Sequence, residues 1–242
     1  MSKTIAVFGA GSALGLSIAR RFGREGFGVA LVARDRARLD GLAATLAAEG
    51  VQAAAFAADL TDAAATAAAV DAIEARFGRI DVLEYGPGGL NLGFAPGPVT
   101  EIGPEELRTP LELFLLAPVG LVRRVLPGMI ERGDGALLFT QGASAKYPIP
   151  FMGDIGTAMA AMRHYILTLS AGLEGTGVHA GTLTIGAGIK GSDVHRLLES
   201  DSYDGPRPEG LDLVDPAVLA DVYWDMYVKR DRVEEVAGNF GG

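Results

Sequence analysis

No cysteine occurs in the 242 residues, so disulfides, thiolate metal sites and a cysteine nucleophile are excluded together. Histidine is scarce too: the three, at 164, 179 and 195, show no ligand spacing, and no metal site is expected. Lysine is confined to Lys3, Lys146, Lys190 and Lys229, and acids outnumber bases by 30 to 21. The resulting net charge of −9 argues against a nucleic-acid partner, whose phosphates would be repelled outside a local basic pocket. The first apolar run, Thr4 to Phe8, stops at Gly9 and is too short for a secretory core, and no later run reads as a bilayer span. The expectation is a soluble, unexported, cytoplasmic protein with no membrane partner.

What is present points to an enzyme-like α/β chain. Hydrophobic residues make up 49% and charged residues 21%, the balance of a globular protein, and the length suits one domain spanning residues 1–242. Strand-like cores are expected at 4–8, 28–33, 52–57, 80–85, 135–140 and 178–185. Between them Leu39, Leu42 and Leu46 recur at helical spacing, as do Ala69, Ile73 and Phe77, with Arg76 as the exposed exception. Alternation of this kind predicts a Rossmann-like doubly wound parallel sheet with helices on both faces. Two segments rich in turn residues, 86–104 and 191–213, read as loops, the second as a lid on the substrate side that contains Gly205-Pro206-Arg207-Pro208.

Straight after the first strand comes Gly9-Ala10-Gly11-Ser12-Ala13-Leu14-Gly15, and then an apolar helix pattern at Leu16, Ile18, Ala19 and Phe22. Glycines let the backbone turn tightly and approach a pyrophosphate, while free amides and the positive end of the helix attract its charge. Strand, glycine turn and helix in that order predict a dinucleotide site. At the end of the second strand, where an acid would accept hydrogen bonds from the adenosine ribose of NAD, stands Ala33. Its neighbour Arg34 carries a planar fork suited to a 2′-phosphate, so NADP(H) is the expected cofactor. Asp35 is read as a cap for the helix that carries Leu39, and Thr61 or Asp62 as caps for the next.

Gly9, Ala13 and Gly15, followed in order by Ala33-Arg34, Asp59-Leu60 and Phe77-Gly78-Arg79-Ile80-Asp81-Val82-Leu83, resemble the landmarks of the short-chain dehydrogenase/reductase family over nearly the whole chain. The departures are Phe8 where threonine is common and Ala13 where glycine is common. The resemblance implies that Asp59 meets the adenine amino group, that Leu60 touches the ring, and that Gly86 borders the pocket. It also implies a homodimer or homotetramer formed through helices near 156–173 and 111–126.

The same resemblance exposes a further absence. Family members use a tyrosine as proton donor, a lysine four residues later, a serine and an asparagine. Six tyrosines occur here, and none has lysine four residues on. Placing the helix by Ala158-Met159-Ala160-Ala161-Met162-Arg163 puts Ile155 at the tyrosine position and Met159 at the lysine position. Gly142 then falls at the serine and, with Leu126-Pro127 aligned, Phe114 at the asparagine. The run Glu84-Tyr85-Gly86-Pro87-Gly88 replaces an Asn-Asn-Ala-Gly entrance, and Gly186-Ala187-Gly188-Ile189-Lys190-Gly191 replaces a Pro-Gly turn with its threonine.

Losing general acid catalysis forgoes about a hundred- to ten-thousand-fold in rate, roughly 3 to 5 kcal/mol. Ordinary ketone reduction is therefore not expected. The expected reaction is NADP(H)-dependent reduction of a small organic substrate that needs little acid help, such as an iminium or a conjugated acceptor. Alternatives are a cofactor-binding sensor or scaffold without turnover, and a non-redox cyclase, isomerase or dehydratase. Replacement catalytic candidates are Asp154, Tyr147 and Ser144, each with a blander reading as a cap or surface loop residue. Tyr85 is a candidate to reach the pocket or pack on the cofactor, and His164 reads as a core or interface residue.

Overall fold

Thr4–Phe8 forms β1, and all five of its residues are buried, because helices cover the sheet on both faces. The computed structural model describes residues 2–88, 96–201 and 212–238. Strands β2 (Gly28–Ala33), β3 (Ala53–Ala57), β4 (Val82–Tyr85), β5 (Gly135–Gly142), β6 (Val178–Ile185) and β9 (Glu234–Ala237) join β1 in one sheet. Its order is β3-β2-β1-β4-β5-β6-β9, with every neighbouring pair parallel. Strand order reverses between β1 and β4, which opens a crevice at their carboxyl ends.

Helices α1 (Leu14–Arg24), α2 (Arg36–Ala48) and α8 (Pro216–Lys229) pack on one face. On the other face lie α3 (Ala63–Phe77), α5 (Ala117–Arg132) and α6 (Gly153–Gly172). The helical spacing read from the sequence is what seats them. Leu39, Leu42 and Leu46 are the buried residues of α2, each contributing about 1.5–3 kcal/mol through burial. Asp35 caps α2 by accepting the Arg38 amide at 3.0 Å, and Asp62 caps α3 by accepting the amides of Ala64 and Ala65. An aromatic cluster holds α8 to α1: Trp224 meets Phe22 edge-on at 5.1 Å, with Phe27 and Tyr227 against both.

α4 (Pro104–Leu111), a π-helical turn at Glu112–Leu116 and α5 run on as one helix. Pro110 has no amide to give to the helical ladder, and the Leu113 carbonyl is taken by the Tyr85 hydroxyl at 2.6 Å. Residues 104–132, with mean hydropathy 1.6, are long and apolar enough to cross a bilayer, which corrects the expectation that no later run could. Part of that apolarity is spent on packing, since Leu113, Phe114, Leu121, Val122, Val125 and Met129 belong to the core beneath the sheet, while Leu116 and Ile130 are exposed.

Three further elements depart from the sequence reading. β9 lies outside the strands expected from the sequence, and its Glu234 is paired: Arg163 of α6 donates to it at 2.7 Å and Lys146 at 3.2 Å. The Arg163 guanidinium, with Lys146 beside it, holds the Glu234 carboxyl down to about 2. The expected loop 191–213 contains α7 (Asp193–Leu198), whose cap Ser192 accepts the His195 amide at 3.1 Å. At its far end β8 (Leu213–Val214) pairs with β7 (Gly188–Ile189). His164 is exposed rather than in the core. The rest of that loop, with Tyr203 and Gly205-Pro206-Arg207-Pro208, and residues 89–95 of the other loop lie outside the described residues.

Candidate active site

The glycine turn continues β1 without a break, the Gly9 amide donating to the Val32 carbonyl at 2.8 Å. Gly9 has φ +93°, and a Cβ there would lie 2.7 Å from the Pro87 Cα, so both conformation and space demand glycine. A Cβ on Gly15 would come within 2.9 Å of the Ala10 Cα, which lets α1 close onto the turn, whereas one on Gly11 would meet nothing within 4 Å. Aspartates cap α2, α3 and α8, but no side chain caps α1 and no acid stands in its first turn. That end is left to an external anion.

Two cavities meet at Gly9 and Gly11. The outer one, about 580 Å³, is walled by Ala33, Arg34, Asp35 and Arg38 from the end of β2, and by Asp59, Leu60 and Thr61 after β3. Asp59 accepts from the Thr61 amide at 3.0 Å and the Thr61 hydroxyl at 2.8 Å, and these bonds, with Arg34 nearby, hold its carboxyl below the usual range. The inner cavity, about 300 Å³, runs from Ser12, Ala13, Leu14 and Gly15 past Gly86 and Thr140 to Ile189, His195 and Leu198. The Nε2 of His195 is buried there with no hydrogen-bond partner.

Helix α7 lies across both. Arg38 pairs with Asp193 at 2.9 Å and also donates to the Ser12 hydroxyl at 3.1 Å. Arg196 pairs with the same carboxylate and donates to the same hydroxyl at 3.2 Å. The Arg38 contact, with Arg196 adding to it, holds the Asp193 carboxyl below its ordinary value. Arg38, Asp193 and His195 were not singled out from the sequence. Arg38 sits one helical turn after Arg34, a spacing that was available as a clue, but Asp193 and His195 come from the far end of the chain.

Phe114, Gly142, Ile155 and Met159 lie in apolar surroundings. Phe114 and Ile155 are buried in the same core. The Met159 sulfur accepts from the Gly142 amide at 3.4 Å and from the Ser144 hydroxyl at 3.8 Å. Ser144 is therefore beside Gly142 and Met159, while the other two replacement candidates are elsewhere. Asp154 is 2% exposed and turned to the 97–99 segment, where its Oδ1 accepts the Gly97 amide at 3.4 Å and the Ile155 amide at 2.8 Å. Tyr147 is half-buried beside Arg163. None of the three lines either cavity. Tyr85 does not reach the pocket with its hydroxyl, which is spent on Leu113, and burial pushes its pKa far upward.

A family model described as short chain dehydrogenase matches residues 3–197. A short chain dehydrogenase of Pseudocercospora fijiensis is 34% identical over 179 residues, covering 73% of this chain and 56% of that protein. The chain thus spans little more than half the length of this relative. The 1-deoxy-11-beta-hydroxypentalenate dehydrogenase of Streptomyces exfoliatus is 33% identical over 186 residues, 75% of this chain and 66% of the relative. Among solved structures, an actinorhodin polyketide ketoreductase variant with NADPH superimposes with a TM-score of 0.82 over 100% of this chain and 97% of its own. At 24% identity that likeness concerns the fold.

Proposed function

Because the chain belongs to the short chain dehydrogenase family, we propose that it is an NADP(H)-binding oxidoreductase for a small organic substrate, working without the family's Asn-Ser-Tyr-Lys set. One observation carries the cofactor: the outer cavity has two guanidinium groups on its wall, Arg34 and Arg38, where Ala33 offers no carboxylate to a ribose. An adenosine 2′-phosphate would be held by that pair and by Ser12, with Asp59 and Leu60 at the base. The pyrophosphate would take the uncapped α1 amides from Ser12 to Gly15, and the nicotinamide end would extend along Gly86 into the inner cavity.

When bound, the nicotinamide supplies a hydride. Phe114, Gly142, Ile155 and Met159 stand where proton transfer and carbonyl orientation are done in the family, and none of them carries a group for either task. An iminium or a conjugated acceptor suits such a site better than a simple ketone. Of the replacement candidates, Ser144 is supported best, by its contact with Met159.

Titrating NADPH and NADH against wild type and Arg34→Ala tests this reading. NADPH should bind the wild type more tightly, and the variant should lose most of that preference, a charge-assisted contact being worth about 1.5–3 kcal/mol. Equal wild-type affinities for the two cofactors would remove the assignment. A panel of iminium, enone and ketone substrates, followed by NADPH loss and by product mass, then separates redox turnover from isomerisation and from binding alone.

A further inference from the structure

Glu84 is a carboxylic acid in the centre of a parallel sheet. It lies on β4 with Val7 and Leu138 as its register partners, and it is 2% exposed. Its Oε1 is 2.7 Å from the Thr140 hydroxyl, which is in turn 2.6 Å from the hydroxyl of the fully buried Tyr223 on α8. Among the described residues no cation is near enough to perturb it, and the Tyr223 phenol, reached through Thr140, feels its charge. Burial without a counter-charge pushes the Glu84 carboxyl up to about 8, so near neutral pH it keeps its proton. Burial, with Glu84 adding to it, likewise holds the Tyr223 phenol far above its usual value.

This neutral acid stands directly behind the inner cavity. Thr140 and Gly86 both line that cavity. A Cβ on Gly86 would lie 2.6 Å from Glu84 Oε1 and 2.6 Å from Thr140 Oγ1, so the missing side chain is what leaves these oxygens room. The Thr140 hydroxyl donates to Glu84 Oε1 when that oxygen is bare; with Glu84 protonated the bond can reverse, so that the Thr140 oxygen accepts from Glu84 on one lone pair and from Tyr223 on the other. The Thr140 hydrogen is then the one left to point into the cavity.

We propose that Glu84 and Thr140 form a proton relay into the inner cavity, with Glu84 as the proton store and Thr140 as the hydroxyl that meets the ligand. The inference rests on the cofactor reading above. Reducing a conjugated acceptor consumes one hydride and one proton. A nicotinamide held along Gly86 would supply the hydride and would be left as a cation. The proton passes from Thr140 to the acceptor and is replaced on Thr140 by the proton of Glu84, which becomes a carboxylate. Two electrons and two hydrogen nuclei would reach the acceptor, and the positive charge left on the cofactor would be balanced by the carboxylate of Glu84. Glu84 thus acts through Thr140, and as a carboxylate it would also stabilise an oxidised ring bound in this cavity.

A substrate-free experiment follows. Binding of NADP+ and of NADPH is measured calorimetrically at pH 7 in two buffers of different ionisation enthalpy, which gives the protons released. Phosphate groups common to both cofactors cancel in the difference between them. The wild type should release most of one proton more with NADP+ than with NADPH, and Glu84→Gln, which keeps a hydrogen-bonding group for Thr140, should abolish that difference. Should the variant fold poorly, infrared difference spectra of the wild type supply the same readout: the protonated-carboxyl band should disappear on NADP+ binding and persist with NADPH. Equal proton release for the two cofactors, release unchanged in Glu84→Gln, or an unaltered carboxyl band would each overturn the relay while leaving the cofactor site standing. Failure of either nucleotide to bind would overturn the cofactor reading and the relay with it.

Discussion

The two cavities meet at Gly9, Gly11, Arg38 and Asp193, and away from that seam their walls differ in kind. Around the outer one, cations and anions from α2, α7 and the end of β3 stand partly in solvent and neutralise one another in pairs. Around the inner one Arg38, Asp193 and His195 stand only at the end shared with α7, the rest of the wall is largely apolar, and the acid behind it, Glu84, is neutral. The contrast separates binding from chemistry. Charges at the rim can grip a phosphate at small cost because water still screens them, whereas an acid sealed in the sheet responds strongly to any charge placed beside it.

The largest effect should come from taking away the buried acid. Unfolded, Glu84 ionises near 4.5, and folded only near 8, so between these values the folded state holds a proton that the unfolded state has lost. Stability due to this group therefore falls as pH rises from about 4.5 to 8. Glu84→Gln should remove that slope and be more stable than wild type at pH 8, by on the order of a few kcal/mol. Chemical denaturation at pH 5 and pH 8 would measure it, and parallel pH dependence in the two proteins would show that Glu84 is not what carries it.

At the rim the expected effects are smaller and of opposite sign for the two partners. Arg38→Ala should weaken NADPH binding by about tenfold or more, as for loss of a charge-assisted hydrogen bond. Asp193→Asn should tighten it a few-fold, since an exposed pair is worth only about 0.2–1 kcal/mol and its loss frees Arg38 for the phosphate. Fluorescence titration of both variants checks the signs, and a weaker Asp193→Asn complex would mean that the carboxylate supports the site rather than competes for it.

The smallest effect is expected where the sequence departs furthest from its family. Ile155→Tyr with Met159→Lys should leave simple ketone turnover close to wild type. Gly142 gives no hydroxyl to orient a carbonyl, Phe114 is a buried apolar side chain, and a lysine at 159 would enter apolar surroundings where desolvation lowers its pKa. Adding Gly142→Ser and Phe114→Asn should bring partial recovery. Strong turnover by the double variant alone would show that other groups already orient the carbonyl.

Most of the sheet could be read from the chain because each buried strand is a short apolar run closed by a turn, and β1, β2 and β6 begin and end where the pattern says. β9 could not, because an edge strand tolerates Glu234 and Glu235 when cations from other elements reach them, and those elements are distant in sequence. The same division runs through the site. Gly9, Gly15 and Arg34 are local signals, set by a turn and by the end of one strand. Arg38, Asp193 and His195 gain meaning only once α7 folds back across α2. Glu84 sat in a run recognised as unusual, yet its protonation depends on Thr140 and Tyr223, which three-dimensional packing alone brings to it.

Helix α7, with its Asp193 bound to Arg38 and its Arg196 bound to Ser12, also has a consequence in time. Asp193 is part of the wall of both cavities, so a nucleotide long enough to occupy the two is expected to settle only as this short helix gives up its pair with Arg38. Arrival is then a two-step event, an opening of the protein followed by capture, and openings of this kind run on microsecond to millisecond timescales. The observed association rate should climb with nucleotide concentration only until it meets the opening rate and then stay level, with departure paced by the same hinge.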